Sequence, residues 1–174
     1  MRIFLIGFMG SGKSVLGRKL SKKLKISFID IDELIEIKTG QKVSEIFSNK
    51  GENVFRETEH ECLKEIILNE NIVVATGGGT PCFYDNMEII NNNGISVYLK
   101  YNPGILASRL ISSSIERPLI KQLNDKKALK LYIEELLEKR EKYYLKSKYV
   151  IEEKNISVKK LIEVFSKEKV ANKT

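Results

Sequence analysis

An eight-residue motif near the start of the chain narrows the choice of fold more than any other feature. It reads GFMGSGKS from Gly7 to Ser14 and matches the pattern GxxxxGK[ST] in full. A short apolar run, Arg2 to Ile6, precedes the motif and predicts a buried strand. After the motif, apolar residues recur at helical spacing from Val15 to Leu24. A strand, a glycine-rich loop and a helix in this order are typical of a loop that holds phosphate groups.

Each residue type in the motif has a physical task. Glycine lets backbone amides turn toward phosphate oxygens, and the start of the helix adds donors and a partial positive charge. We expect Lys13 to reach the β- and γ-phosphates of ATP and Ser14 to ligate Mg²⁺ through its hydroxyl. The residues expected to bind the nucleotide here are Gly10, Ser11, Gly12, Lys13, Ser14 and Val15. A glycine-rich turn without a ligand would look similar, whereas the dinucleotide fingerprint GxGxxG does not occur.

Along the rest of the chain, predicted strands and helices alternate. The predicted strands are Arg2–Ile6, Ser27–Ile29, Ile72–Ala75, Ile95–Leu99 and Tyr149–Ile151, and the predicted helices are Ser14–Leu24, one opened by Asp32, Gly51–Leu68, one begun by Asn102 and Pro103, Lys126–Lys146 and Ser157–Phe165. This alternation predicts an α/β fold with a parallel sheet covered by helices on both faces. A length of 174 residues with 42% hydrophobic residues suits a single domain over 1–174.

Two of the four aspartates stand at the end of the second predicted strand, where ligands of such sheets bind. Asp30 and Asp32 are two residues apart, so on a strand both carboxylates would face the phosphate site. One carboxylate can assist Mg²⁺ while the other accepts a proton from an attacking hydroxyl, the two tasks that phosphoryl transfer to an alcohol requires. In the alternative interpretation, Asp32 only caps a helix and Asp30 is solvated.

A glycine cluster and two arginines are candidates for a second binding site. Gly77, Gly78 and Gly79 follow an apolar strand, and their backbone amides suit an anionic or hydroxylated ligand. A loop that needs positive φ angles would have the same sequence. If the fold brings Arg56 and Arg140 together, they form a clamp suited to a carboxylate.

The segment from about 112 to 124 is irregular and polar, and it contains Arg117. It is long enough to be a mobile lid that excludes water and brings an arginine to the transferring phosphoryl group. The only histidine, His60, precedes Glu61 and Cys62, but position 64 is Lys64, so the zinc motif HExxH is absent and we expect no zinc site.

The composition bears on partners and compartment. A formal net charge of +7 raises the question of whether the protein binds nucleic acid or another polyanion. The lysines are interspersed with glutamates, as on solvated helix faces, and no aromatic residues interleave with them, so we expect no nucleic-acid partner. Two cysteines, no export signal and no apolar run of membrane-spanning length predict a cytoplasmic protein that does not bind membranes.

Six motifs, taken in order, resemble those of shikimate kinases. They are GFMGSGKS at Gly7–Ser14, FIDID at Phe28–Asp32, GENVFRETE at Gly51–Glu59, TGGGT at Thr76–Thr80, RPLI at Arg117–Ile120 and REKYY at Arg140–Tyr144. The resemblance implies phosphorylation of the 3-hydroxyl of shikimate by ATP with Mg²⁺, a step toward aromatic amino acids. It also implies a three-layer αβα P-loop kinase fold with strand order 2-3-1-4-5, a mobile lid, a substrate-binding helical region at about 32–62, and a monomer.

The resemblance also implies roles for single residues. Asp30 would help to hold Mg²⁺ through water, and Asp32 would bind substrate hydroxyls and act as the base. The shikimate carboxylate and ring hydroxyls would be held by Arg56, Arg140, Gly77, Gly78 and Gly79, and Arg117 would face the phosphates. The family's adenine-stacking arginine usually lies seven residues before the lid arginine, where this chain has Leu110, so the neighbouring Arg109 is the candidate adenine contact.

Two alternative functions stay open at this point. Another small P-loop kinase acting on a sugar acid or a nucleotide would release ADP with gluconate or a nucleoside monophosphate. A nucleotide-gated regulator or basic nucleic-acid-binding module would bind DNA or RNA in a salt-sensitive manner, without acceptor-dependent ADP release. An alcohol acceptor is favoured because it needs a base such as Asp32, whereas an acceptor phosphate does not.

Overall fold

The computed structural model describes residues 1–113 and 125–171. Its elements, in chain order, are β1 (Arg2–Ile6), α1 (Lys13–Leu24), β2 (Ser27–Asp30), α2 (Ile31–Thr39), α3 (Val43–Ile66), β3 (Ile72–Ala75), a short 3₁₀ turn (Thr80–Cys82), α4 (Asn86–Asn93), β4 (Ile95–Lys100), α5 (Pro103–Ile111), α6 (Lys126–Tyr144), β5 (Tyr149–Glu152) and α7 (Val158–Ala171).

The five strands form one parallel sheet in the order β2-β3-β1-β4-β5. At its centre, Leu5 of β1 is in register with Ala75 of β3 on one side and Val97 of β4 on the other. Parallel neighbours must be joined by crossovers, which lay helices over both faces of the sheet. The predicted three-layer α/β fold and its strand order are therefore confirmed.

Burial follows from this architecture. The central strands are apolar without interruption and almost inaccessible to water, with Ile3–Ile6 and Val73–Val74 fully buried. Strands covered on both faces lose the alternation of apolar and polar residues that marks a half-exposed strand. Because β2, β3 and β1 are neighbours, the loops that leave their carboxyl ends meet at one edge, and these loops contain the motifs singled out above.

Helix boundaries differ from the predicted ones at α2 and α3. Asp30, not Asp32, is the N-cap of α2, because its side chain accepts a hydrogen bond from the backbone N–H of Asp32. α3 begins at Val43, eight residues before the predicted start at Gly51. Gly51 has φ 83° and ψ 170°, so the helix kinks there and resumes in a new direction. α2 and most of α3 make up the predicted helical region at about 32–62.

Other differences are smaller. Helix α4 was not predicted, because its sequence NMEIINNN is rich in asparagine and has only weak helical periodicity. Val15 was placed on the apolar stripe of α1 but is 59% exposed. The predicted lid, apart from residues 112 and 113, lies outside the described residues, as does Arg117. In the part of the chain that the structure describes, no helix is long and apolar enough to cross a membrane.

At Gly17, α1 packs closely against the sheet, and the replacement of this glycine by alanine tests the packing. A methyl group at Gly17 would lie 2.5 Å from Cε2 of Phe28 in β2. Alanine at an exposed helical position stabilises by about 1 kcal/mol relative to glycine, but overpacking of a core costs about 1–3 kcal/mol. Gly17→Ala should therefore lower the free energy of unfolding in urea.

The matched control for Gly17→Ala is the same substitution in a Phe28→Leu background. The shorter side chain makes room for the methyl group, so most of the cost of Gly17→Ala should disappear there. A gain in stability for Gly17→Ala in the parent protein would contradict the packing argument.

Candidate active site

The loop between β1 and α1 turns back on itself around Lys13. The ammonium group of Lys13 donates to the carbonyl oxygens of Gly7 and Phe8, at 2.8 and 3.0 Å. Gly12, the N-cap of α1, has φ 85° and ψ 19°, in the left-handed region that glycine occupies at little cost. The loop thus closes onto the N-terminus of α1, and the backbone amides and partial positive charge of a helix N-terminus favour an anion.

The same loop packs against α5. A methyl group at Gly10 would lie 3.1 Å from Cγ of Leu110, which is buried. Its neighbour Arg109 is partly exposed and stacks on Tyr101, with 4.1 Å between Cζ and the ring centroid. Helical geometry thus directs Leu110 to the core, against the phosphate loop, and leaves Arg109 partly exposed over Tyr101.

A short hydrogen-bond chain joins α1 to α2 at the end of β2. The Ser14 hydroxyl donates to Oδ2 of Asp30 at 2.5 Å, and Oδ1 of Asp30 accepts from the backbone N–H of Asp32 at 3.1 Å. Asp30 is therefore both a helix cap and the partner of Ser14, and it is not simply solvated. Asp32 lies in the first turn of α2, next to the carboxylate that holds this turn in place.

The carboxyl group of Asp32 has an unusual proton affinity. The side chain of Asp32 is exposed to the cleft that it lines, but the walls of this cleft separate it from bulk water. This desolvation, together with the charges of Asp30 and Glu59, raises the pKa of Asp32 to about 6, against the opposing charges of Lys13 and Arg56. Asp32 is therefore ionised at neutral pH yet accepts a proton more readily than an ordinary aspartate.

Arg56 is buried at the other side of the cleft, with only 6% of its side chain exposed. Its Nη1 donates to Oε2 of Glu59 at 2.8 Å, and its Nε and Nη2 donate to Oε1 of Glu52 at 3.1 and 3.0 Å. Burial alone would lower the pKa of Arg56, but the charge of Glu59 and the bonds to both glutamates outweigh it and raise that pKa.

The guanidinium of Arg56 keeps donors for a ligand. Of its five N–H groups, three point to glutamates among the described residues, which leaves one on each terminal nitrogen. The rings of Phe83 and Phe55 lie 4.4 and 5.0 Å from its Cζ and restrict its motion. A remaining N–H on each terminal nitrogen of a restrained guanidinium can serve the two oxygens of a carboxylate.

The glycine loop touches all of these groups at close range. A methyl group at Gly77 would lie 2.5 Å from Oε1 of Glu59 and 3.1 Å from Oδ1 of Asp32. One at Gly79 would lie 2.5 Å from the terminal nitrogens of Arg56. None of the three glycines has a positive φ, so at Gly77 and Gly79 it is close approach, and not backbone conformation, that excludes a side chain.

Arg140 of α6 completes the wall behind the loop. The Cβ position of Gly78 is 3.5 Å from Nη1 of Arg140, whose Cζ lies 5.9 Å from the ring centroid of Phe8. The fully buried Tyr144, one helical turn further on, donates its hydroxyl to the carbonyl oxygen of Gly78. The fold thus brings Arg56 and Arg140, 84 positions apart in sequence, to the same three-residue loop.

These groups enclose one cavity of about 530 Å³. Its walls include most of the residues predicted for substrate and metal: Asp30, Asp32, Arg56, Gly77, Gly78, Gly79 and Arg140. Met9 of the phosphate loop also lines it, so the cavity opens toward the expected position of the nucleotide. Its size is that of a pocket for a small molecule.

Sequence reasoning missed three buried polar residues of the site. Glu59 is fully buried and accepts from Arg56 and from the hydroxyl of Thr80, while Tyr144 holds Gly78. An acid three residues after a candidate arginine, as in the pair Arg56 and Glu59, was a usable signal for a helical ion pair. Thr80 and Tyr144 stand in the quoted motifs, but nothing local indicates their partners.

Comparisons with known proteins agree with one another. The family model of shikimate kinase matches residues 9–172. A shikimate kinase of Azobacteroides pseudotrichonymphae is 44% identical over 163 residues, which cover 93% of this chain and 95% of that protein. The crystal structure of a shikimate kinase from Bacteroides thetaiotaomicron superposes with a TM-score of 0.91 at 39% identity, covering 95% of this chain and 98% of that one.

A further solved structure is that of a shikimate kinase from Acinetobacter baumannii in complex with shikimate. It superposes with a TM-score of 0.85 at 33% identity and covers 99% of this chain and 94% of that chain. The similarity therefore extends over nearly the whole length of this chain and of each of these three proteins.

The raised pKa of Asp32 predicts a pH-dependent stability difference for Asp32→Asn. The folded protein holds the Asp32 proton more tightly than the unfolded chain does, so ionisation costs stability as the pH rises from about 4 to about 6. Asparagine has no such cost. Asp32→Asn should therefore have a higher Tm than the parent protein at pH 8, and the difference should vanish near pH 4.

Glu33→Gln is the matched control, because it also removes a negative charge from the first turn of α2. Glu33 pairs with Arg18 at the surface, so this variant should show no gain in Tm at pH 8. A Tm difference for Asp32→Asn that is the same at pH 4 and pH 8 would count against the raised pKa.

Proposed function

Because the chain belongs to the shikimate kinase family, we propose that the site described above transfers the γ-phosphoryl group of ATP to the 3-hydroxyl of shikimate. The products are ADP and shikimate 3-phosphate. One observation carries the assignment of roles: three successive glycines adjoin Asp32, Arg140 and Arg56 in turn. A base for a hydroxyl and cations for a carboxylate thereby line the same small cavity, as a carboxylated alcohol requires.

On the nucleotide side, the phosphate loop supplies fixed positive charge. Residues Gly10 to Val15 form the end of the loop and the first turn of α1, whose backbone amides would hold the β- and γ-phosphates. Lys13 is bound to loop carbonyls at the same place, which keeps its charge at the loop. Arg109 of α5, the helix that packs against the loop, is proposed to contact the adenine, and Arg117, outside the described residues, to face the phosphates from the lid.

Ser14 and Asp30 fit a magnesium ion that enters with the nucleotide. The Ser14 hydroxyl offers a hard oxygen ligand at the phosphate loop, and the Asp30 carboxylate, which accepts the proton of that hydroxyl at 2.5 Å, would help to hold the ion through water. Mg²⁺ in kinases commonly uses one or two protein ligands, together with phosphates and water. When bound, the ion neutralises phosphate charge and orients the γ-phosphate.

The substrate carboxylate is proposed to bind between Arg56 and Arg140. Arg56 keeps one N–H on each terminal nitrogen for this purpose, and Arg140 lies across the glycine loop from it. The backbone of Gly77, Gly78 and Gly79 then faces the ring hydroxyls without intervening side chains. An anion held at this end directs the opposite side of the ring toward Asp32 and the phosphate loop.

Asp32 is proposed as the base of the reaction. The oxygen of the substrate hydroxyl bonds to the γ-phosphorus as the bond from that phosphorus to the β–γ bridging oxygen breaks, and the electron pair leaves with ADP. The hydroxyl proton passes to a carboxylate oxygen of Asp32. A pKa of about 6 suits this task, since the group is ionised at neutral pH and is a stronger base than an ordinary aspartate.

Two expectations from the sequence stay predictions. They are that the protein acts as a monomer and that it resides in the cytoplasm. The domain assignment, one kinase domain over 1–174 with a lid at about 112–124, belongs with them.

The decisive assay measures ADP release by the purified protein with MgATP and alternative acceptors. Shikimate should support turnover and yield shikimate 3-phosphate, whereas gluconate and nucleoside monophosphates should leave ADP release at its background rate. Turnover with either of the latter and none with shikimate would replace the proposed substrate. Salt-sensitive DNA or RNA binding without acceptor-dependent ADP release would indicate a binding module in place of an enzyme.

Removal of the proposed base should reduce chemistry more than binding. Asp32→Asn should lower kcat by about 10²–10⁴ while the affinity for ATP stays close to that of the parent protein. In the parent protein, kcat/KM for shikimate should rise with pH through about 6, as Asp32 loses its proton. Near-normal turnover in Asp32→Asn would exclude Asp32 as the base, and Glu33→Gln serves again as the control for charge.

A further inference from the structure

We propose that Asn86 and His60 are positioning residues that hold Arg56 in its binding geometry through Thr80 and Glu59. The proposal rests on the proposed function, since it assigns Arg56 to the substrate carboxylate. It concerns α4, whose asparagines no sequence motif singled out, and the one histidine of the chain, which has no part in the chemistry above.

Asn86 is the centre of this network. It is fully buried in the first turn of α4, and its Nδ2 donates to the carbonyl oxygen of Thr80 at 2.8 Å. Its Oδ1 lies 2.6 Å from Nδ1 of His60. Because the Nδ2 group already donates to Thr80, Oδ1 is the acceptor, and His60 must carry a proton on Nδ1. Both ends of the amide are thus used to connect α3 with the turn after the glycine loop.

Thr80 passes this restraint on to the ion pair. Its carbonyl is held by Asn86, and its hydroxyl donates to Oε1 of Glu59. Oε2 of Glu59 accepts from Nη1 of Arg56 at 2.8 Å. Asn86, Thr80 and Glu59 all have no exposed surface, so water cannot easily replace a bond that is lost.

The position of Arg56 depends on this chain of bonds because Glu59 has little other support. Its two oxygens are held by Thr80 and Arg56, the hydrogen bonds found for it among the described residues. If the Thr80 turn shifts, the Glu59 carboxylate and the guanidinium bonded to it shift as well. A displacement of a fraction of an ångström is enough to weaken a bidentate bond to a carboxylate.

His60 closes the network at the protein surface. Its ring stacks on Tyr84, with 4.7 Å between centroids, and only 13% of its side chain is exposed. Asp85 Oδ1 lies 3.9 Å from Nδ1, beyond hydrogen-bond distance. His60 therefore directs its Nδ1 proton to Asn86 and stabilises the amide orientation that holds Thr80.

The test is a comparison of KM values in the full-length protein. Asn86→Leu keeps the size of the side chain and removes both hydrogen bonds. It should raise KM for shikimate about tenfold, the effect of one lost charge-linked hydrogen bond, and leave kcat and KM for ATP within about twofold. A residue with a merely structural role would lower Tm and the active fraction, and so kcat, without this selective change in KM.

Asn91→Leu is the matched control. Asn91 lies on the same helix and also uses both ends of its amide, donating to the carbonyl of Lys146 at 2.9 Å and accepting from Ser96 Oγ at 2.5 Å. Its bonds lead to β4 and the end of α6 and not to Glu59. Asn91→Leu should therefore cost stability but leave KM for shikimate unchanged.

A pair of substitutions at His60 tests the network without disturbing a fully buried position. His60→Phe keeps a ring that can stack on Tyr84 but has no donor for Asn86, and it should raise KM for shikimate severalfold. His60→Asn places an amide nitrogen where Nδ1 stood and should restore KM to near the parent value. If Asn86→Leu does not fold, this pair decides.

Three results would overturn the proposal. They are an unchanged KM for shikimate in both Asn86→Leu and His60→Phe, an equal rise in KM for shikimate and ATP, and a failure of His60→Asn to differ from His60→Phe. Each of these presupposes that the parent protein phosphorylates shikimate. A parent protein without that activity would instead refute the proposed function, and the positioning role would fall with it.

Discussion

The carboxylate of Asp30 joins the two halves of the site, and much of the geometry around it depends on this one group. One of its oxygens binds the Ser14 hydroxyl at the start of α1, and the other caps α2 at Asp32. The sheet sets the position of Asp30, because β2 ends there beside β3. The phosphate loop and the proposed base are therefore both anchored by hydrogen bonds to the end of β2. This shared anchor limits how far they can move apart.

The site also concentrates charge in a place that proteins usually keep apolar. Arg56 and Glu59 are almost completely buried, and such a pair stabilises a fold only when its hydrogen bonds are well satisfied. Here Glu52, Thr80 and the surrounding phenylalanines provide that support. Among the residues that the structure describes, no side chain forms an ion pair with Asp32, and its pKa is raised. The cleft thus loses stability at Asp32, the proposed base, where a desolvated carboxylate must ionise, whereas the charges around Arg56 are well compensated by hydrogen bonds.

The glycine loop shows how one short segment can meet several requirements at once. Its three residues approach Asp32, Glu59, Arg56 and Arg140 so closely that a single methyl group at Gly77 or Gly79 would collide with a charged side chain. Tyr144 and Asn86 bind the backbone at and just after the loop, at the carbonyl oxygens of Gly78 and Thr80. Close approach, and not conformational freedom, is therefore the reason for glycine at Gly77 and Gly79.

Much of the fold and part of the site could be predicted from the sequence, because their signals are local. The phosphate loop, the five strands and the cap at Asn102 each depend on residues within one turn or one strand of each other. The strand order came from the resemblance to a family, since pairing between strands leaves no local mark. Helix α4 and the first third of α3 were missed because asparagine and an internal glycine argue against a helix unless packing supports it.

By itself the sequence determined which chemical groups are available: a phosphate loop, two aspartates at a strand end, a run of glycines and a few arginines among many lysines. Only the tertiary structure decided that Arg56 and Arg140 meet at the glycine loop, that Asp30 serves as cap and Ser14 partner, and that Asn86 bonds to Thr80. The physical reason is that hydrogen bonding, desolvation and close packing act between atoms that are near in space. Residues far apart in the chain acquire these properties only when the sheet brings their loops to one edge.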